Sequence, residues 1–174
     1  GRFHDEQWAG KWIGAPARHE SVMMRREFSV QKKLKRVVLH VSGLGHYEAF
    51  INGEKVGNQL LTPGWTNYNE STLYNTYDVT HHIRNGGNAI GLVLGNGMYH
   101  VERRNRFAKF EGSFGPKRVI ADLVFIYEDG SREIMGTDDR WKTRPGTIIY
   151  SSIYGGEDYD ARRYPTGWDK PDFD

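Results

Sequence analysis

The sequence predicts an all-β chain folded as two antiparallel sheets packed into a jelly-roll-like sandwich. Three observations predict it. Apolar residues recur at every second position in short runs, as in Val37, Leu39 and Val41 or Tyr47, Ala49 and Ile51, which is the period of a strand with one buried and one solvated face. The runs are separated by turn-forming residues, Asn52-Gly53 foremost, because Asn-Gly suits a type I′ hairpin whose two central residues both take positive φ. No stretch carries the apolar repeat of a long amphipathic helix, and short strands joined by glycine-rich turns imply two packed sheets.

A chain of 174 residues can bury roughly two thirds of its unfolded surface as one domain, so residues 1–174 are expected to form a single sandwich. Charged residues reach 26%, but 13% aromatics in spaced apolar runs argue for folding rather than disorder. A net charge of +2 with acids and bases interspersed gives no field suited to nucleic acid or an anionic membrane, and neutral partners are expected instead. The absence of cysteine excludes disulfides, thiolate metal sites and cysteine nucleophiles, and leaves the compartment open between periplasm, exterior and cytoplasm. Gly1-Arg2-Phe3-His4 is too polar for a signal peptide, and no apolar run approaches a membrane span. Pro165, Pro171 and the acidic Asp172-Phe173-Asp174 read as a linker, so the chain is expected to be a domain excised from a larger protein.

Taken in order, Trp8 and Trp12-Ile13 open the domain, and Met24, Arg26 and Phe28 alternate with Arg25, Glu27 and Ser29 as a first strand. Residues 31–36 are a charged turn; its basic cluster suits a solvated connection better than a nucleic-acid arm. Residues 37–57 are read as a meander. One strand ends at Ser42, Gly43-Leu44-Gly45 turns the chain, a second strand runs to the Asn52-Gly53 turn, and Lys55-Val56-Gly57 return. Pro63 and Gly64 make the next segment a loop that exposes Trp65 and Tyr68. Residues 73–79 form another strand, Thr80 caps a short turn ended by Gly86-Gly87, and residues 88–94 are again a strand. A long basic loop follows, with Arg103, Arg104, Arg106 and Lys109 on an irregular surface segment. Residues 119–127 are the clearest late strand, Glu128-Asp129-Gly130-Ser131 its turn, and Trp141 with Ile148-Ile149-Tyr150 continue the sheets.

At this point the residues resemble a family. Trp8 with Trp12-Ile13, Arg25-Arg26-Glu27-Phe28, Ser42-Gly43-Leu44-Gly45-His46-Tyr47-Glu48, Ile51-Asn52-Gly53 and Thr62-Pro63-Gly64-Trp65-Thr66 follow one another as in the N-terminal β-sandwich domain of bacterial α-L-rhamnosidases. Tyr77-Asp78-Val79-Thr80, Leu94-Gly95-Asn96-Gly97, Tyr154-Gly155-Gly156-Glu157, Tyr159-Asp160-Ala161-Arg162 and Gly167-Trp168 keep the same order, so the resemblance covers essentially the whole chain. Met98 departs from it, standing where the family usually has tryptophan. The resemblance implies a sandwich of the galactose-binding type. It also implies a role as non-catalytic accessory domain of a rhamnoside hydrolase, whose carboxylates sit on a following (α/α) barrel. That barrel and rhamnose-containing glycans are the implied partners. Alternatives are an independent carbohydrate-binding module and a purely structural spacer.

Several residues are candidates for sugar contact. Trp65 and Tyr68 lie on a loop, where an aromatic face can meet the apolar face of a pyranose, although Trp65 can equally fold back to cap the sandwich. Asn96 and Tyr99 follow a strand beside glycines that permit close approach. Glu157, Asp158 and Asp160 are the densest carboxylates among aromatics; if residues 154–162 are extended, Asp158 and Asp160 face one way and Glu157 and Tyr159 the other. Glu157, Tyr159 and Asp160 then suit a sugar, while Asp160 with Arg162 equally suits a structural ion pair. Tyr154, Tyr159, Arg162 and Trp168 are candidates for an interface with the next domain. No residue is assigned to catalysis, which for a glycoside needs two opposed carboxylates. No metal or cofactor is expected either: His81-His82 diverge on a turn, and no loop alternates Asp or Asn as calcium requires.

Overall fold

The computed structural model describes residues 7–15, 19–101, 106–107 and 109–173. The strands are β1 (Val22–Val30), β2 (Leu34–Leu44), β3 (His46–Ile51), β4 (Glu54–Lys55), β5 (Tyr74–Asp78), β6 (Gly86–Gly95) and β7 (His100–Val101). After them come β8 (Gly112–Ser113), β9 (Arg118–Tyr127), β10 (Arg132–Gly136), β11 (Lys142–Pro145), β12 (Ile148–Ser152) and β13 (Gly156–Tyr159). Two single turns of 3-10 helix, Thr80–His82 and Ala161–Arg163, interrupt them. Five strands form one sheet in the order β11-β1-β6-β3-β4, four form the other in the order β10-β9-β2-β5, and β12-β13 and β7-β8 are separate ribbons. Among the described residues every strand pairing is antiparallel.

The core lies between the two main sheets. Val37, Leu39 and Val41 of β2 and Leu123 and Phe125 of β9 meet Met24 of β1, Tyr47, Ala49 and Ile51 of β3, and Ile90, Leu92 and Leu94 of β6. Each set alternates along its strand, so period two places one face inside. Trp141, just before β11, closes one side of this cluster.

The expected meander is corrected by the pairing. β2 pairs with β5 and β9, whereas β3 pairs with β6 and β4, so consecutive runs belong to opposite sheets. The chain steps between sheets at Gly45, whose φ of 125° and closeness to the Gly95 carbonyl leave no room for a side chain. β2 also begins at Leu34 and ends at Leu44 rather than at Ser42. The charged turn is correspondingly short: Lys32 and Lys33 reach Asp129 and Glu128 in the β9–β10 turn at 3.1 and 3.0 Å. The Asn52-Gly53 turn has the expected form, with φ of 54° and 88°. Thr80 is not the cap of its turn. Its hydroxyl donates to Asp78 Oδ1 at 2.6 Å and accepts from the Val37 amide at 2.9 Å, tying β5 to β2. Arg103 and Arg104 of the basic loop lie outside the described residues.

The two ends of the described chain are straps across the outer faces of the sheets. Near the start, the Ala9 and Gly10 amides donate to the Asp122 carboxylate at 2.9 and 2.7 Å. Near the end, residues 165–173, whose prolines and acids read as a linker, pack against β1. The buried Arg25 guanidinium donates to the carbonyls of Trp168, Lys170 and Phe173 at 2.7, 2.9 and 3.2 Å, and pairs with Glu27. A buried arginine needs all of these acceptors, since an unpaired buried charge costs several kcal/mol.

Candidate binding cleft

Ser21, directly before β1, anchors the β12–β13 hairpin against the five-stranded sheet. Its hydroxyl donates to the Ile148 carbonyl at 2.9 Å and accepts from the Ile148 amide at 3.1 Å. The hairpin thereby stands beside the start of β3 and the end of β6, and a cleft of about 510 Å³ opens between them. Its walls include His46, Glu48, Val93, Asn96, Ile148, Ser151, Ile153 and Glu157, with Leu60 and Leu61 at the rim. Thr62 holds that rim to β3: its carbonyl accepts from the Tyr47 amide at 2.7 Å, and its hydroxyl donates to the Tyr47 carbonyl at 3.1 Å. Leu61 has φ of 55° and is 66% exposed. A bulky side chain in the left-handed region is a strained arrangement that the surrounding contacts must impose.

The polar wall is a connected network. Asn96 Nδ2 donates to Glu20 Oε2 at 3.0 Å and to the Ser151 carbonyl at 2.9 Å, and the Ser151 amide donates to the same Glu20 oxygen at 3.1 Å. The Ser151 hydroxyl donates to Glu157 Oε1 at 3.2 Å. Asn96 is 2% exposed, yet its Oδ1 has no hydrogen-bond partner. A buried acceptor left in this way costs about 1–3 kcal/mol. Burial pushes the His46 imidazole below its ordinary value, so this wall is neutral there at pH 7. Glu48 is held by Lys55.

The residues singled out from sequence scatter. Asn96 and Glu157 line the cleft. Trp65 does not fold back; it is 69% exposed on its loop and lies away from the cleft walls. Tyr68 is half-buried, edge-on to Tyr99 with ring centroids 5.1 Å apart and against Phe114 at 5.3 Å. Tyr99 is buried, with its hydroxyl donating to the Phe114 carbonyl at 3.1 Å, so these two rings are packing that pins the loop carrying β7 and β8.

Residues 154–162 are not one extended strand. Tyr154 sits in the hairpin turn, edge-on to the exposed Phe107, and Tyr159 ends β13 and is 58% exposed. Asp158 accepts from Arg106 at 2.6 Å, and that guanidinium stacks over the Tyr150 ring at 4.0 Å. Asp160 lies beyond the strand and caps the following turn, taking Arg162 through both oxygens at 2.8 and 2.9 Å and Arg163 at 3.3 Å. Those bonds, the Arg162 side chain first, hold its carboxyl down at about 2. Of the two readings of Asp160, the ion pair describes its contacts. Trp168 belongs to the C-terminal strap and is buried against the five-stranded sheet, 2% exposed.

Sequence reasoning missed Glu20, His46, Leu60, Leu61 and Ser151. The one local signal was the pair of leucines beside Pro63-Gly64, too apolar for a loop that only connects. Among the described residues no three His, Asp or Glu side chains gather as a metal site.

Comparison with known proteins places this geometry. The α-L-rhamnosidase of Streptomyces avermitilis is 37% identical over 174 residues, covering 95% of this chain and 16% of the relative. Among solved structures, the α-L-rhamnosidase of Dictyoglumus thermophilum superposes with a TM-score of 0.84 at 39% identity, covering 98% of this chain and 20% of that one. The α-L-rhamnosidase of Streptomyces avermitilis complexed with L-rhamnose superposes with a TM-score of 0.83 at 36% identity, covering 92% and 16%. The chain thus spans no more than a fifth of the proteins it matches here. The α-L-rhamnosidase N-terminal domain family matches residues 32–174, and the chain belongs to that family.

Proposed function

We propose that this chain is a single, non-catalytic sandwich domain of a multidomain α-L-rhamnosidase, and that its cleft holds a rhamnose unit of the glycan on which the whole enzyme acts. The observation that carries the reading is the cleft of about 510 Å³, whose lining combines the polar Ser151 and Glu157 with the apolar Leu60, Leu61, Val93 and Ile153. The Ser151 and Glu157 side chains offer hydrogen bonds to sugar hydroxyls, and the apolar Leu60, Leu61, Val93 and Ile153 suit the C–H face and methyl group of a 6-deoxy sugar. The L-rhamnose complex of the Streptomyces avermitilis relative supports the choice of sugar.

Catalysis belongs elsewhere in the enzyme. A glycosidase acid needs a raised pKa and an opposed carboxylate. Glu20 and Glu157 instead converge on Ser151, and Asp129 and Asp160 are held down at about 2. A second surface supports packing on the catalytic (α/α) barrel: Ile149, Tyr159 and Phe107 are exposed around the hairpin, Tyr154 lies against Phe107, and Arg162, although paired with Asp160, keeps its side chain 89% exposed.

Calorimetric titration of the 174-residue chain with L-rhamnose tests the cleft. Affinity in the millimolar range or better, weakened by Glu157→Gln, is the expected result. No heat with rhamnose or its oligosaccharides, at concentrations tenfold above that range, reduces the domain to a packing element or spacer.

A further inference from the structure

The β12–β13 ribbon has two faces with different work. Residues opposite each other on paired strands share a face, and neighbours along a strand alternate between faces. Ser151 pairs with Glu157, and both line the cleft. Tyr150 pairs with Asp158, one place along on each strand, so these two point away from it. Among the described residues the ribbon pairs with no strand of either main sheet, so its pose depends on the side chains and loops around it. At its root the Ser21 hydroxyl holds Ile148, and on the cleft face Glu20 and Asn96 hold the Ser151 backbone.

The outer face is gripped by Arg106, which is not itself part of the cleft lining. Arg106 Nη2 donates to Asp158 Oδ2 at 2.6 Å, Nη1 donates to the Gly155 carbonyl at 3.4 Å, and the guanidinium lies over the Tyr150 ring at 4.0 Å. Gly155 lets the tip come this close, since a side chain there would collide with the Tyr150 hydroxyl and the Arg106 stem. One planar cation thus meets both strands and the turn between them, a geometry that the point charge of lysine does not reproduce. The Arg106 and Asp158 side chains are 39% and 46% exposed, so their pairing adds little to the stability of the whole domain. Its effect is on where the ribbon stands.

We infer that Arg106 is a positioning residue of the cleft: by holding Tyr150 and Asp158 on one face of the ribbon, it sets the place of Ser151 and Glu157 on the other. The inference rests on the sugar-binding reading of the cleft and adds to it a residue that governs affinity without touching the sugar. Asp158 and Glu157 are consecutive in a strand of four residues, so a ribbon released at Asp158 carries Glu157 away with it. Apparent affinity scales with the fraction of molecules whose wall is formed, and loosening the ribbon lowers that fraction while every ligand-contacting group stays chemically intact.

The test compares the 174-residue chain with its Arg106→Met, Arg106→Lys and Asp158→Ala variants by hydrogen exchange and by titration with L-rhamnose. Arg106→Met is expected to speed exchange of the amides of residues 150–157 by roughly tenfold while those of β2 and β9 keep their rates. The same variant should weaken the Kd for L-rhamnose about three- to tenfold at a nearly unchanged melting temperature. Arg106→Lys, which keeps the charge and loses the fork, should recover part of both effects. Arg106→Met combined with Asp158→Ala should do little more than either alone, because both remove one contact. Unchanged exchange of the ribbon in Arg106→Met, faster exchange with an unchanged Kd, or fully additive effects of the two substitutions overturn the positioning role and leave the rhamnose cleft standing. Absence of binding by the unsubstituted chain overturns the cleft and, with it, this role.

Discussion

Trp168 packs directly on Gly91: a Cβ placed on Gly91 would fall 2.5 Å from the indole ring. The glycine is the seat of the C-terminal strap, and its neighbours Arg25 and Phe50, directly opposite on β1 and β3, hold the indole in place. Gly91→Ala is therefore expected to destabilise the domain by about 1–3 kcal/mol through overpacking, despite alanine's better strand propensity. A thermal melt should show a loss of about 2–4 °C per kcal/mol. An unchanged melting temperature would mean that the strap lifts off freely.

The β3–β4 turn gives a second test. Gly53 has φ of 88° and its missing Cβ would meet the flexible Lys170 side chain at 2.6 Å. Gly53→Val is expected to cost on the order of 1–2 kcal/mol or more from backbone strain. Gly53→Asn, which tolerates positive φ, should cost clearly less, and chemical denaturation of both variants measures the difference. Equal losses would point to the Lys170 contact instead of φ.

Acid should unfold the domain in two windows. Burial holds the His40, His46 and His82 imidazoles below their ordinary value, so they remain neutral when folded and protonate more readily when unfolded. Their stabilisation is complete above about pH 6.5 and declines below it. Asp129, held at about 2 chiefly by the Ser131 hydroxyl, and Asp160, held at about 2 chiefly by Arg162, are depressed carboxyls. What they contribute is complete above about pH 4 and is lost as pH falls toward about 2. Melting temperatures recorded from pH 7 to pH 2 should fall in both ranges, and Asp129→Asn with Asp160→Asn should flatten the lower one. A flat profile above pH 4 would mean that the histidines are already solvated.

The chain by itself should release no nitrophenol from p-nitrophenyl α-L-rhamnoside, because Glu20 and Glu157 share Ser151 instead of facing each other across a gap. Turnover above buffer that disappears with Glu157→Gln would make the cleft an active site.

Local pattern carried the strands and their faces but not their partners. Val37, Leu39 and Val41 announce a buried face by alternation alone, and Asn52-Gly53 announces its turn by backbone chemistry. Nothing in either run says that β2 will pair with β9, whose residues follow long after, so alternation alone implies a meander that the pairing overturns. The strap was hidden for the same reason. Prolines and acids near residue 170 have the composition of a linker, while the feature that holds them is a hole at Gly91 in a distant strand. Within the site, Asn96 and Glu157 were legible as polar residues beside glycine. His46, Leu60 and Leu61 became wall and rim only once the hairpin of β12 and β13 was laid against β3. Tyr99 misled because an aromatic next to glycines looks exposed, yet a glycine leaves as much room for a ring to pack inward.

The crossing at Gly45 bears on how the polypeptide is made. β1, β3 and β4 join one sheet while β2 and β5 join the other, so synthesis deposits strands on the two sheets by turns. Loop closure must precede nearly every reward, which places such topologies among the slow folders, in the millisecond to second range. During translation four of the five strands of one sheet, β1, β6, β3 and β4, can gather once β6 has emerged, but the opposing sheet lacks a central strand until β9 arrives. Until then the apolar face of β2 has no neighbour on one edge and is open to wrong partners. A ribosome stalled between β6 and β9 should therefore carry a nascent chain that chaperones bind, and release past β10 should end that binding abruptly.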